Sequence, residues 1–496
     1  MGKTSESKID DDSRWMESIK MILGASEYRE ACFIGSIQRV TDKHGKLIND
    51  EAYKPHVVSI GPLHHRGRSD LLAMEMHKWS YMSSLLQRNN LDDDKLDNLL
   101  EFHGRKILAL EDVIRDSYGE NITPDRYELA KLMLVDGCFV LELLLRLYQQ
   151  NKKPSVPVNQ EKKKLSIPDD PVDPILRNAD MIASVARDLS LLENQIPFFV
   201  LKTLSGLIPD ELKTTFNVAK QALNLFIPLV NPHQLAHAVH DDKLLSSSYG
   251  HLHHLLHKSC LSSCSIQKSS STDQEATQEL KYCATKLVAA GVKFGKSNES
   301  VKDIFQISFS NGELSIPQLQ IQDTTECIFR NFIAWEKGRT DEEHGTIQHQ
   351  FTSYALFFKG LICCPQDVEL LCRSGIIYIN GNGNGTSRSK EEELRTLFSR
   401  VTKGVLVGQF ITDHYYCYGH LCDEMNKFYE NKAFKKWHKI LGHQWDCFAE
   451  TVKLFWKHQI VILISDHFPD MWKTLGVIAA VMLLVLTILQ TYYSAK

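Results

Sequence analysis

A short polar run set between apolar ones, Leu192-Glu193-Asn194-Gln195-Ile196-Pro197-Phe198-Phe199, places the tightest constraint on how this chain can fold. Ahead of it, Ile182, Val185, Leu189, Leu192 and Ile196 recur at steps of three and four, the stripe of a helix with one buried face. Pro197 removes a backbone donor and ends or bends that helix, and Phe198-Phe199-Val200-Leu201 opens a second apolar run. Glu193, Asn194 and Gln195 therefore sit at a corner between two buried segments, able to bond the backbone groups freed by the break. A polar corner in apolar surroundings is costly unless every group is satisfied, so it should select one packing arrangement.

The flanking chain reads as mainly α: a large helical bundle with a few short strands or hairpins. Val57-Val58-Ser59-Ile60-Gly61-Pro62 has the pattern of a short strand ending in a turn, with His64 and His65 just past it. Leu72, Met76, Trp79, Met82 and Leu86 mark an amphipathic helix, with Glu75 and Lys78 paired on its flank. Another helix is predicted over 97–117. Thr123-Pro124-Asp125 is a helix start, and the helix that follows is apolar on nearly every side over 129–147, which places it in the middle of the bundle. Lys131, Asp136, Glu142 and Arg146 interrupt it too often for a membrane span; Glu142 and Arg146 form an i,i+4 pair. Asp136 beside Gly137 reads as a carboxylate accepting hydrogen bonds from a neighbouring segment. The Pro-rich stretch 151–174 is a linker, and the Ser- and His-rich tract 233–277 reads as an excursion from the core. Alternation around Asn311-Gly312 is a hairpin signal, and Asn380-Gly381-Asn382-Gly383 marks a surface loop.

The two ends of the chain differ. Residues 1–30 form a polar tail without a signal-peptide core; Met1-Gly2 lacks the Ser or Thr at position six that myristoylation prefers, since Glu6 stands there. From Leu475 to Leu489 the chain carries no charge, and the extension over 471–493 suffices for the roughly 20 residues of a membrane-crossing helix. Trp472 at one end and Tyr492 with Tyr493 at the other match interfacial aromatic belts. The expectation is a single-pass tail anchor in the plasma membrane or an endomembrane. Seven lysines from Lys432 to Lys473 precede it against Lys496 after it, which keeps the body, 31–465, in the cytosol. Glycosylation triplets at Asn121, Asn298 and Asn384 point the other way, and a glycan on any of them would reverse that orientation.

A net charge of −4 argues against bulk nucleic-acid binding. The 12 scattered cysteines read as reduced thiols, not a disulfide framework. His251, His253, His254 and His257 with Cys260 and Cys264 resemble zinc ligands, but their spacing fits no closed tetrahedral site. Gly291-Val292-Lys293-Phe294-Gly295-Lys296-Ser297 is one residue short of a phosphate loop and is not followed by a helix. Neither a Gly-x-Ser-x-Gly elbow nor a His-Glu-x-x-His pair occurs, and Cys363-Cys364 reads as two small buried residues. No cofactor and no metal is expected.

Three runs carry a resemblance: Ser59-Ile60-Gly61-Pro62-Leu63-His64-His65, Leu134-Val135-Asp136-Gly137-Cys138-Phe139, and the corner itself through Phe199. With Ala290-Gly291-Val292-Lys293-Phe294 and Asn331-Phe332-Ile333-Ala334-Trp335-Glu336 further on, the chain resembles the plant family called domain of unknown function 247 (DUF247) from about residue 31 to its tail. Trp335 and Lys337 stand where that family more often has Phe and Gln. The resemblance implies a mostly helical land-plant protein with a C-terminal anchor and no established enzymatic activity. Some grass members are implicated in self-incompatibility as pollen-side recognition factors. Two function classes follow: a membrane-held recognition or scaffold protein acting on an unknown protein partner, or a tethered enzyme with a site near His64, Asp136 and Glu193. The second requires those side chains to line one concave, solvent-reachable pocket.

Overall fold

A computed structural model describes residues 36–41, 50–65, 69–152, 173–230, 235, 238–261, 279–297, 303–338, 349–379, 387–405, 416–432, 450–454 and 471–494. They divide into two units, Met1–Asn426 and Lys427–Lys496, each taken by itself. The polar tail 1–30, most of the linker 151–174, residues 262–277 of the second polar tract and the Gly-Asn loop 380–386 lie outside the described residues.

The first unit is built round one long helix. Helices α1 (Leu72–Gln87) and α2 (Asp93–Ala109) lead to α3 (Arg126–Lys152). With 27 residues, α3 runs about 40 Å at 1.5 Å per residue. Sixteen of them, from Leu129 to Arg146, are buried because α1, α2, α5 (Phe198–Leu204) and α6 (Val218–Phe226) all pack on it. Its start is two residues later than Thr123 suggested: Asp125 Oδ1 accepts the N–H groups of Tyr127 and Glu128, both at 2.9 Å, as a capping side chain does. The helix predicted over 97–117 is two, α2 and a short turn Glu111–Asp116, broken at Leu110. Between α3 and α5 lies α4 (Ala179–Leu189), which ends at the polar corner.

The remainder is a second helical layer with small sheets at its side. After α7 (Leu252–Cys260) and α8 (Ala284–Ala289) come β1 (Lys293–Lys296), β2 (Ser308–Ser310) and β3 (Glu313–Ile316) in the order β1-β3-β2. The hairpin forms at Asn311-Gly312, whose φ angles of 53° and 81° suit the tight turn, with Phe309 opposite Leu314. Strand β1 pairs parallel to β3, so the stretch that nearly copied a phosphate loop is a sheet edge. Strand β4 (Leu319–Ile321) pairs parallel with β5 (Ile377–Ile379). Helices α9 (Thr325–Lys337), α10 (Gln350–Leu361), α11 (Pro365–Arg373) and α12 (Ser387–Val401) complete the layer, α9, α10 and α12 in mutual contact around an aromatic core of Phe329, Phe332, Phe351, Tyr354 and Phe358.

In the second unit α13 (Met471–Ser494) is a 24-residue helix. Its described side chains, 475–491, are all exposed, Leu475 at 63% and Leu489 at 46%. Thr487 and Thr491 turn their hydroxyls back to the carbonyls of Leu483 and Thr487, both at 2.7 Å. Among the described residues no helix is long and apolar enough to cross a membrane, so the expected transmembrane span is corrected to an exposed, largely apolar helix. The side chains of Trp472 and Tyr492, the expected interfacial ends, fall outside the described residues.

Candidate functional site

Residues 56–61 cross the corner without forming the expected strand, with bends at 56, 57 and 61; side-chain oxygens accept their N–H groups instead. Asp188, the penultimate residue of α4, accepts from His56 N (2.9 Å), Val57 N (2.6 Å) and Val58 N (3.0 Å) through Oδ2. Asn194 takes both sides of the backbone, accepting from Ile60 N at 2.7 Å and donating to Val58 O at 3.0 Å. Asp136 Oδ2 accepts from Gly61 N at 2.8 Å, and Lys78 Nζ donates to Ser59 O. Arg187 braces Asp188 Oδ1 at 2.7 Å and donates to Lys54 O and Glu51 O. A buried backbone must find partners somewhere, and this one finds them in three helices at once.

The corner's other residues reach outward from the same point. Glu193 Oε1 accepts from Val40 N at 2.8 Å, and its Oε2 lies 3.1 Å from His64 Nε2, an ion-pair distance without hydrogen-bond alignment. Gln195 Nε2 donates to Leu189 O and Leu191 O, both at 2.7 Å, closing the α4 end; its Oε1 accepts from His253 N at 3.1 Å and its carbonyl from Tyr118 Oη at 3.1 Å. Gly61 has φ +75°, and a Cβ there would run into Gln195 O, so the approach of Gly61-Pro62 to the corner requires glycine. Pro197 leaves Phe198 N to donate to Gly250 O at 2.7 Å as α5 begins. Gly137 serves packing: a methyl there would overlap Leu204 of α5.

Lys78 is the residue the periodicity misplaced. Met76 and Trp79 are 74% and 44% exposed, and the buried face of α1 is Met74, Lys78, Tyr81, Met82, Leu85 and Leu86. The helix is turned so that the Lys78 ammonium, fully buried, meets Asp136 Oδ1 at 2.8 Å and Glu75 Oε1 at 2.7 Å. Burial disfavours the Lys78 charge, but Asp136 and Glu75 outweigh it and hold the ammonium above its ordinary range. Burial likewise raises the Asp136 carboxyl, offset in part by Lys78 and the Gly61 N–H. The pair is kept ionic by mutual attraction in a dry site, where losing one member strands the other. A second buried network joins Glu142, which accepts from Arg146 (2.7 Å) as its i,i+4 spacing predicted, and from Arg88 (2.7 Å).

The His-rich tract is corrected most. Over 249–260 it is buried structure, not an excursion: His251, His253 and His257 are within 3% of full burial. His253 Nδ1 donates to the corner carbonyl of Ser190 at 2.6 Å, the only role that a carbonyl partner leaves it. His251 sits edge-on to Trp335 at 4.8 Å, and His257 approaches Glu336 Oε1 at 3.1 Å. These rings serve as flat polar-edged core residues, and no metal-ligand grouping of them occurs among the described residues. Burial pushes the His253 imidazole down to about 3, so the ring is neutral. Cys363 and Cys364, read as buried, are exposed and half-buried.

Beside the corner opens a cleft of about 260 Å³ lined by Ser59, His64, His65, Glu75, Trp79, Glu128 and Lys131 among others. His64 lines it, whereas Asp136 is sealed behind Lys78 and Glu193 is 5% exposed. Of the three expected to share one pocket, His64 and Glu193 meet and Asp136 stands apart. Ser59 Oγ, buried at the cleft wall, has no hydrogen-bond partner among the described residues. Lys78 pairs with Glu75 as its spacing suggested, but its second partner Asp136 and the partners of Asp188 and Asn331 were not legible in the sequence; Asn331 Oδ1 accepts from Leu192 N at 2.9 Å. Lys78 carried a signal for burial, lying four residues after Met74 and three before Tyr81, whereas nothing local to Asp188 or Asn331 names their partners.

Residues 37–486 match the family described as plant protein of unknown function, DUF247. Two curated proteins of Arabidopsis thaliana are similar over nearly the whole chain. UPF0481 protein At3g47200 is 27% identical over 487 residues, covering 95% of this chain and 88% of the relative. Putative UPF0481 protein At3g02645 is 21% identical over 573 aligned residues, covering 97% and 94%. No solved structure matches.

Proposed function

Since this chain belongs to the DUF247 family of plant proteins of unknown function, we propose a role read from its own geometry: a recognition or scaffold protein that works by contact with another protein, held at a membrane by its C-terminal helix. One observation carries the reading. The polar groups that an active site would need, Asp136, Glu193, Asn194 and Gln195, each accept from a backbone N–H of another segment, and Asp136 is further neutralised by Lys78. Such a network rigidifies a body and leaves specificity to the loops that it holds.

The membrane attachment rests on the exposed apolar side chains of α13 and on the full sequence of that helix, not on its described residues alone. The lysines before it favour a cytosolic body at the plasma membrane or an endomembrane. A part in pollen-side self-recognition rests on the family resemblance alone.

Full-length protein and a form lacking 471–494, expressed in plant cells with a proximity-labelling enzyme at the N-terminus, test both halves. The full chain should pellet with membranes through alkaline wash and label a reproducible protein set; the truncated form should turn soluble and lose that set. Truncated protein that still sediments with membranes would refute the attachment, and an unchanged labelled set would refute its part in partner contact.

A second reading, a tethered enzyme working in the cleft, is favoured by the unpartnered Ser59 Oγ beside His64. It expects small metabolites from a plant extract to protect His64 from diethyl pyrocarbonate and to be converted by wild type but not by His64→Ala.

A further inference from the structure

Two thiols and a carboxylate from distant parts of the chain converge at one point of the second helical layer. Cys283 stands at the N-cap of α8, Cys363 lies just before α11, and Asp367 is in the first turn of α11. The two Sγ atoms and a carboxylate oxygen of Asp367 all lie within 4.8 Å of one another. Around a tetrahedral ion with bonds of about 2.3 Å to sulfur and about 2.1 Å to oxygen, ligand atoms stand roughly 3.6–3.8 Å apart, so small side-chain rotations would close this set.

The carboxylate is already aimed. Asp367 Oδ2 accepts from Cys363 N and Cys364 N, both at 2.9 Å, and from Cys364 Sγ at 3.2 Å; Oδ1 accepts from Thr285 N at 2.7 Å. The backbone donors and the Thr285 side chain lock the direction of the carboxylate, as outer-shell bonds do at metal sites, and an ion would take over one of these acceptor positions. Cys283 Sγ has the Thr285 hydroxyl at 3.4 Å. Cys363 is exposed, unlike the small buried hydrophobe that a packing cysteine usually is.

We propose that Cys283, Cys363 and Asp367 form a binding site for a soft divalent cation of the zinc type, with a water as fourth ligand. Two metal–sulfur bonds form as two thiol protons leave to solvent, and nothing is oxidised or reduced. Soft thiolates select zinc-like ions over magnesium or calcium. The ion would tie the segment that begins α8 to the one that begins α11, and so stabilise the folded body by mass action. A disulfide between Cys283 and Cys363 is the competing chemistry; it would employ the sulfurs alone and leave Asp367 in its capping-box role at the start of α11, so uptake of metal by the reduced protein separates the two.

The full chain in detergent, reduced and stripped with a chelator, is titrated with cobalt(II) and then zinc(II). The expected result is one cobalt per chain, with near-ultraviolet thiolate charge-transfer bands and visible bands of tetrahedral intensity, abolished by stoichiometric zinc. Cys363→Ser, at an exposed position where folding is not at stake, should lose the charge-transfer intensity of one sulfur and weaken binding more than tenfold. Cys372→Ser, a thiol outside the set, should leave both unchanged. Spectra in Cys363→Ser identical to wild type would overturn the site. So would a reduced protein that takes up no cobalt yet forms a Cys283–Cys363 disulfide with oxidised glutathione, by exchange that releases two molecules of the reduced thiol.

Discussion

His253 offers a quantitative probe of whether the His-rich tract belongs to the core. The ring is fully buried, donates through Nδ1 to Ser190 O, and has His251 stacked at 6.0 Å, Phe332 at 5.3 Å and His257 on the same helix face. Burial holds its imidazole down at about 3, against 6.5 for a free ring. The native state therefore binds fewer protons than the unfolded chain. The stability contributed by this group is complete above about pH 6.5 and is lost as pH falls from there toward 3. At 1.36 kcal/mol per pH unit the loss reaches about 2 kcal/mol by pH 5. His253→Asn keeps a donor near Ser190 O but cannot titrate, so it removes the slope while adding a cavity cost that does not vary with pH. Guanidinium unfolding followed by tryptophan fluorescence, with Trp335 ring-on-edge to His253 at 6.1 Å, should show wild type losing about 2 kcal/mol more than the variant between pH 7 and pH 5. Parallel pH dependences for the two proteins would refute the burial of this ring and with it the docking of α7 on the corner.

Other perturbations bear on the same network. Replacing Lys78 by Met, or Asp136 by Asn, should each cost roughly 3–5 kcal/mol by stranding the partner, while the double variant should cost less than the sum; additive losses in a denaturation cycle would mean that the two groups do not pair. Asp188→Asn leaves the N–H groups of His56, Val57 and Val58 facing an amide and should cost at least about 3 kcal/mol, with amide exchange at those three positions accelerating most. Gly61→Ala meets both a positive φ and Gln195 O, and should lower stability by about 1–3 kcal/mol; a neutral effect in the same unfolding assay would place Gly61 away from the corner.

How much of this was written in the chain itself differs from feature to feature. Local chemistry determined the helix start after Pro197, the central position of α3 with its Glu142–Arg146 pair, the Asn311-Gly312 turn, and the presence of a polar corner demanding partners, but not the end of α4, which stops at Leu189 and leaves Leu192 and Ile196 outside the helix. Each follows from one residue's backbone preference or from side-chain spacing within a single helix, so neighbours in sequence suffice to read it. The rotation of α1 did not follow, because Met76 and Trp79 suit a buried face as well as Lys78 does until Asp136, 58 residues away, supplies the opposite charge. The strand expected over 57–62 failed for the same cause: the partners of its N–H groups are carboxylates and an amide more than 70 residues distant, not a neighbouring strand. His253 looks solvated in a Ser- and His-rich stretch and is buried only because Ser190, Gln195 and Phe332 enclose it. Sequence by itself determined which groups had to be satisfied, and only the tertiary structure decided which partners satisfy them, since hydrogen bonds and ion pairs between distant segments depend on positions that no local pattern encodes.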